Sequence, residues 1–182
     1  ETGFVGNGVE YEVDCLIFAS GFEVTSELSR RWGIGRIEGR DGLSLYDHWH
    51  DGPVTLHGAM THGFPNLFAT GYIQGALNSS TTEQFNRQCE HLTWIIAQAL
   101  SRGATTVEPT REGQDAYVRH FREIEVDMSG LVAECTPSYY NNEGEQNTAW
   151  LLLRGYGHGW DAFQAMLSEW RARGDMAGLT LD

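Results

Sequence analysis

Two kinds of hydrophobic pattern divide the chain: short apolar runs that end in small residues and glycine, and, from residue 80 on, apolar positions recurring at steps of three and four. At the start, Phe4-Val5, the turn Gly6-Asn7-Gly8 and the alternating Val9-Glu10-Tyr11-Glu12-Val13 predict a β-hairpin. Asp14-Cys15-Leu16-Ile17-Phe18-Ala19-Ser20-Gly21-Phe22 follows directly, and its unbroken apolar run predicts a strand buried on both faces, as in a parallel or mixed sheet. Residues 25–62 hold many glycines and no sustained period, which reads as a long irregular connection. Gly63-Phe64-Pro65-Asn66-Leu67-Phe68-Ala69-Thr70-Gly71 then predicts a Pro-Asn turn feeding a second short strand with the same small-small-Gly ending.

Beyond it the pattern is helical. Ser80 and Glu83 have capping-box spacing, and Phe85, Cys89, Leu92, Ile96 and Ala99 predict a helix over Thr81 to Leu100. Thr110 caps a second predicted helix, Arg111 to Val126, with Tyr117, Phe121 and Ile124 on one face. Residues 131–145 are loop-like, Trp150 to Leu153 reads as a strand, and Gly155-Tyr156-Gly157-His158-Gly159 leads into a last helix. Trp160, Phe163, Met166, Leu167 and Trp170 mark the apolar side of that helix and Gly174 stops it. The expected class is α/β, with few strands and about three helices around one core, the size that 182 residues support.

Composition narrows the function classes. Apolar residues make up 41% and aromatic residues 12%, a globular balance. The net charge of −13, with every basic side chain an arginine, disfavours nucleic acid and anionic membranes as partners. No apolar run approaches the ~20 residues of a membrane span and no signal pattern opens the chain, so a cytoplasmic location is expected. Cys15, Cys89 and Cys135 are odd in number and widely spaced, which predicts reduced thiols, with Cys15 and Cys89 acting as small buried hydrophobes. Asp47-His48-Trp49-His50-Asp51, with His57 and His62 nearby, offers good ligand types, but an H-x-H pair supports a metal only where both rings share one face, and no metal site is expected.

The chemistry lies in the two glycine turns. A small-small-Gly ending lets a ligand approach the backbone at the carboxyl edge of a sheet, where open α/β sheets bind cofactors. Asp14-x-x-x-Phe18-Ala19-Ser20-Gly21-Phe22 resembles the D-x-h-h-h-A-T-G-F strand of flavin-containing and Baeyer–Villiger monooxygenases, with Ser20 in place of threonine. His62-Gly63-Phe64-Pro65-Asn66-Leu67-Phe68 resembles their later G-F-P-N-L-F strand, and Tyr72-Ile73-Gln74-Gly75 the loop after it in one Baeyer–Villiger-like subgroup. The Gln84 to Ala97 helix, the stretch Cys135-Thr136-Pro137-Ser138-Tyr139-Tyr140-Asn141-Asn142-Glu143-Gly144 and the terminal Gly159-Trp160-x-x-Phe163 agree in order and spacing, so the resemblance covers nearly the whole chain.

The resemblance implies the C-terminal part of a Rossmann-like enzyme with two dinucleotide-binding domains, in which FAD reduced by NADPH takes up O2 and delivers one oxygen atom to a ketone or related small organic substrate. It divides the chain into a hairpin and sheet strand at 1–24, a connection at 25–62 and the closing part of the FAD domain at 63–182. It places Ser20, Gly21, Phe22, Gly71, Tyr72 and Gln74 beside the flavin, and Ile73, Leu77, Asn78, Tyr139 and Tyr140 on the substrate wall; it assigns no catalytic residue here. No Gly-x-Gly-x-x-Gly turn occurs in the 182 residues, so the chain by itself is expected to hold neither FAD nor NADPH and to be inactive without missing N-terminal domains. A non-catalytic binding or assembly module, homo-dimeric through the surface those domains would cover, and an N-hydroxylating flavoprotein are the alternatives.

Overall fold

The structure, a computed structural model, describes residues 2–19, 28–138 and 154–182. The N-terminal hairpin forms as the pattern predicts. Strands β1 (Gly3–Gly6) and β2 (Val9–Glu12) pair antiparallel with Gly6 opposite Val9. Asn7 and Gly8 close the turn at φ 51° and 78°, the left-handed backbone that a two-residue hairpin needs. Phe4 stacks on Tyr11 with ring centroids 5.0 Å apart.

The doubly buried strand expected next does not form. Cys15 to Ala19 lies outside every sheet, and Leu16, Ile17 and Phe18 are 50%, 82% and 85% exposed. A strand needs a neighbour to take up its N–H and C=O groups, and among the described residues none lies beside this run. Leu67 to Ala69 is likewise not a strand; its Leu67 N–H donates back across the turn to Phe64 O at 3.2 Å and its Ala69 N–H to Ala59 O at 2.8 Å.

The irregular connection contains short helices that its glycines obscure: α1 (Leu28–Trp32), a 3₁₀ turn at Arg40–Gly42 and α2 (Leu45–His48), capped by Ser44. Leu28, Leu45, Trp49, Phe64 and Ile73 form one buried cluster with them. The remaining elements are α3 (Thr81–Ser101), β3 (Val107–Pro109), α4 (Arg111–Ile124), β4 (Val126–Asp127), α5 (Ser129–Ala133), β5 (Arg154–Gly155), α6 (Gly159–Arg173) and β6 (Leu179–Leu181). Among the described residues this is a mixed α/β fold of six helices and three two-stranded antiparallel sheets, β1–β2, β3–β6 and β4–β5. The strand expected at Trp150 to Leu153 lies outside the described residues.

Side-chain caps mark the starts of α3 and α4, and a left-handed glycine marks the end of α6. Ser80 Oγ accepts from Glu83 N–H, Thr110 Oγ1 accepts from Gly113 N–H at 3.0 Å, and Gly174 ends α6 at φ 68°. Two clusters bury their inner faces: Leu92, Ile95, Ala99, Val107 and Trp170 in one, Leu56, Tyr117, Phe121, Phe163 and Leu167 in the other. The buried face of α3 is rotated from the expected stripe. Gln84, His91, Leu92, Ile95 and Ala99 point inward, while Phe85, Cys89 and Ile96 are exposed. Two polar residues take inward positions because each is hydrogen-bonded there, Gln84 Oε1 to Asn78 N–H and His91 to His57 and Arg171. Cys15 and Cys89 are therefore exposed thiols, not the buried hydrophobes expected, as is Cys135.

A buried carboxylate fixes the approach to the second glycine turn. Glu108 on β3 accepts from Gly63 N–H at 2.7 Å and from Arg40 Nε at 2.7 Å, and Asn66 Oδ1 accepts from Val107 N–H at 3.0 Å. Residues 62–66 are thus pinned against β3 and deliver the chain to Gly71 in one register.

Candidate functional site

The segment from Gly71 to Asn78 has no regular secondary structure, yet four parts of the chain hold it. Gly71, at φ 146°, has both backbone groups engaged by one side chain: its N–H donates to Gln88 Oε1 at 3.0 Å and its C=O accepts from Gln88 Nε2 at 2.6 Å. The Tyr72 hydroxyl bonds Thr81 Oγ1 at 2.9 Å, and its ring lies 6.1 Å from Phe85. Gln74, at φ 40°, accepts on Oε1 from Thr55 N–H at 2.8 Å and from Thr55 Oγ1 at 2.6 Å. Its carbonyl accepts from the Tyr117 hydroxyl, and the Gly75 carbonyl accepts from Tyr156 N–H at 3.1 Å. Below the loop, a Cβ built on Gly58 would sit 2.2 Å from Ile73 O, so only glycine lets the turn after Leu56 come this close.

A histidine pair supports that turn. His57 Nδ1 lies 3.1 Å from His91 Nε2, and Arg171 Nη1 lies 3.1 Å from His91 Nδ1. A guanidinium only donates, so His91 Nδ1 accepts, its proton sits on Nε2, and it donates to His57 Nδ1. Burial, with Arg171 beside it, lowers the His91 pKa to about 3; burial and then His91 itself hold His57 well below its usual value. Both rings are neutral at physiological pH, packed against Trp170 with centroids 4.9 and 5.4 Å away.

The carbonyls at Gly71, Gln74 and Gly75 are thus taken up by protein, but the donors between them are not. Among the described residues, the N–H groups of Tyr72, Ile73 and Gln74 donate no hydrogen bond, although Ile73 and Gln74 are buried. Buried backbone donors are normally paired. The N-terminus of α3 follows within a few residues and adds partial positive charge on the same stretch of chain. The loop therefore carries backbone donors that no described residue takes up, next to a helix N-terminus.

Of the residues proposed from the pattern, Gly71, Tyr72, Ile73, Gln74, Leu77 and Asn78 come together in this one loop. The Ile73 side chain is buried with Phe64 and Trp49. Leu77 is exposed, while Asn78 accepts from Ser80 N–H at 2.7 Å and so helps cap α3. Ser20, Gly21, Phe22, Tyr139 and Tyr140 lie outside the described residues. Sequence did not single out Gln88, Thr55 or His91, and it placed Tyr117 only on an apolar helix face and His57 only near a histidine-rich stretch: each bonds a partner 17 to 80 positions away. The other histidines disperse, His50 to Asp51 and His62 to Pro109 O at 2.9 Å.

Comparison with known proteins gives the setting. The chain is 40% identical over 172 residues to a Baeyer–Villiger monooxygenase of Streptomyces coelicolor, covering 94% of this chain and 28% of that protein. It is 34% identical over 179 residues to the FAD-binding monooxygenase hmp7 of Hypomyces subiculosus, covering 98% of this chain and 30% of the relative. Among solved structures, the polycyclic ketone monooxygenase from the thermophilic fungus Thermothelomyces thermophila superposes with a TM-score of 0.79 at 30% identity, over all of this chain and 30% of that one. No protein-family model matches the chain. What these findings define is a mixed α/β segment of the kind found in monooxygenases. More narrowly, the chain is related along its whole length to part of the FAD-binding, Baeyer–Villiger-type monooxygenases, and it spans about three tenths of the length of the curated relatives it matches.

Proposed function

We propose that this chain forms one wall of the flavin site in an FAD- and NADPH-dependent Baeyer–Villiger monooxygenase that inserts one oxygen atom of O2 into a ketone. The observation that supports this reading is the row of N–H groups at Tyr72, Ile73 and Gln74 from which no described residue accepts, in a loop whose Gly71 and Gln74 carbonyls are bound to protein. When bound, FAD supplies the activation of oxygen. The loop's part is to bind and orient: three donors and the α3 N-terminus favour the negative charge that a reduced flavin acquires on its pyrimidine side. Tyr72 and the exposed Leu77 offer apolar surface next to those donors, suited to the hydrocarbon body of a ketone.

The assembly-module alternative is not favoured, because the relatives along the whole chain are monooxygenases. The test is Gly71→Trp in the full-length protein that carries this chain. A Cβ at Gly71 meets no atom within 4 Å, and φ 146° disfavours any side chain, so the change acts on the loop backbone itself and not through a clash with the core. Loss of bound flavin, read from the visible absorbance of the purified protein, is expected; flavin content equal to the parent protein overturns the reading.

A further inference from the structure

We propose that Gln88, on α3, is a positioning residue that aims the donors of the loop. This rests on the reading of Gly71–Asn78 as flavin-facing. The Gln88 amide binds both the N–H and the C=O of Gly71, at 3.0 and 2.6 Å, as a neighbouring strand would. The Gly71–Tyr72 peptide is planar and trans, so its N–H points opposite to its C=O. Holding Gly71 O toward Gln88 therefore turns the Tyr72 N–H away from α3, to the side where no described residue accepts from it. The glycine makes this geometry accessible, since φ 146° is closed to ordinary side chains. One side-chain amide thereby replaces the sheet neighbour that the small-small-Gly turn lacks, and sets the direction of the first donor in the row.

The chemistry of the clamp requires one donor and one acceptor on the same planar group. Leucine supplies neither. A glutamate carboxylate accepts from Gly71 N–H but repels Gly71 O, whereas the protonated acid restores both bonds in the same shape. The groups around it do not confuse that titration: Arg87 is occupied by Glu83 and Glu90, and His91, with its pKa lowered to about 3, stays neutral over the range used.

The experiment measures the FAD dissociation constant of the full-length protein and its Gln88→Leu and Gln88→Glu variants at pH 8 and pH 5, the latter near the ordinary carboxyl range. Gln88→Leu is expected to bind FAD about tenfold more weakly at both pH values, the equivalent of one or two neutral hydrogen bonds. Gln88→Glu is expected to be equally weak at pH 8 and to recover toward the parent affinity at pH 5, a pH profile that mere loss of packing does not produce. Affinity of Gln88→Glu that tracks the parent at both pH values overturns the proposal. If Gly71→Trp abolishes flavin binding while Gln88→Leu leaves it unchanged, the clamp is wrong and the loop assignment stands; if Gly71→Trp has no effect, both fall. Should Gln88→Leu fail to fold, the near-isosteric Gln88→Glu carries the test alone.

Discussion

Cys15 to Ala19 and Leu67 to Gly71 carry the same sequence signal, an apolar run leading toward two small residues and a glycine, and the structure treats them in opposite ways. The second is half-buried, reached from a turn pinned by Glu108 and ended by the Gln88 clamp. The first is exposed along its length and, among the described residues, pairs with no strand. Neither forms a regular strand, so hydrophobicity alone did not decide the outcome. What separates them is whether polar side chains from distant parts of the chain take up the backbone groups that a sheet would otherwise satisfy.

That contrast is broken most severely from beneath the second run. Phe121 is 1% exposed, and its ring lies 6.3 Å from Tyr117, whose hydroxyl holds the Gln74 carbonyl. Phe121→Ala removes a buried aromatic ring and should cost about 3–5 kcal/mol. Denaturant unfolding of the chain checks this, and a loss below ~1 kcal/mol would mean that stability does not reside in this half.

Acid attacks the same region next. His57 and His91 titrate well below their ordinary value in the folded chain, chiefly through burial, with Arg171 nearby and Tyr117 packed on His57. The unfolded chain therefore binds more protons between the usual imidazole range and about pH 3, so stability is full above about pH 6.5 and falls as pH drops. Between pH 6 and pH 5 each imidazole should cost on the order of 1 kcal/mol. His91→Gln should flatten the pH dependence of the unfolding free energy over this interval; an unchanged slope would show that the pair is not the source. No histidine lies in residues 2–19, so the exposed run should not respond.

These dependences explain which parts of the fold the sequence made legible. Local signals were readable: Asn7-Gly8 gave the hairpin, Ser80 and Thr110 the starts of α3 and α4, and Gly174 the end of α6, because each acts on its neighbours within four residues. The loop was readable as a place, from the resemblance of Tyr72-Ile73-Gln74-Gly75 to a family stretch. Its construction was not. The inward turn of Gln84 and His91 defies the hydrophobic period of α3, since a polar residue can be core only if a partner outside the helix bonds it, Asn78 for Gln84 and His57 and Arg171 for His91, and no apolar pattern announces that partner. The pairing of Val107–Pro109 with Leu179–Leu181 is equally nonlocal, and each strand is too short to show a period.

A finer probe reaches the tie between the loop and the turn beneath it. Thr55 is fully buried and gives Gln74 Oε1 two donors. Thr55→Val keeps the shape and the backbone bond and removes only the hydroxyl, so a loss of about 1 kcal/mol is expected. Thermal unfolding is the measurement, and no change at all would show that the backbone N–H suffices to hold Gln74.

The smallest effect belongs to the first run. Ile17 and Phe18 make so little contact that Ile17→Ser with Phe18→Ser should alter the unfolding free energy of the 182-residue chain by less than about 0.5 kcal/mol. The same pair of changes should reduce self-association, because exposed apolar side chains beside unpaired backbone invite other chains to add to them. Equilibrium denaturation and light scattering separate the two effects. A large loss of stability in the first measurement would show that the run is packed after all, and would erase the difference between the two apolar runs. Unchanged stability with less association fixes that difference where the structure puts it, in partners supplied from elsewhere and not in the residues of the run.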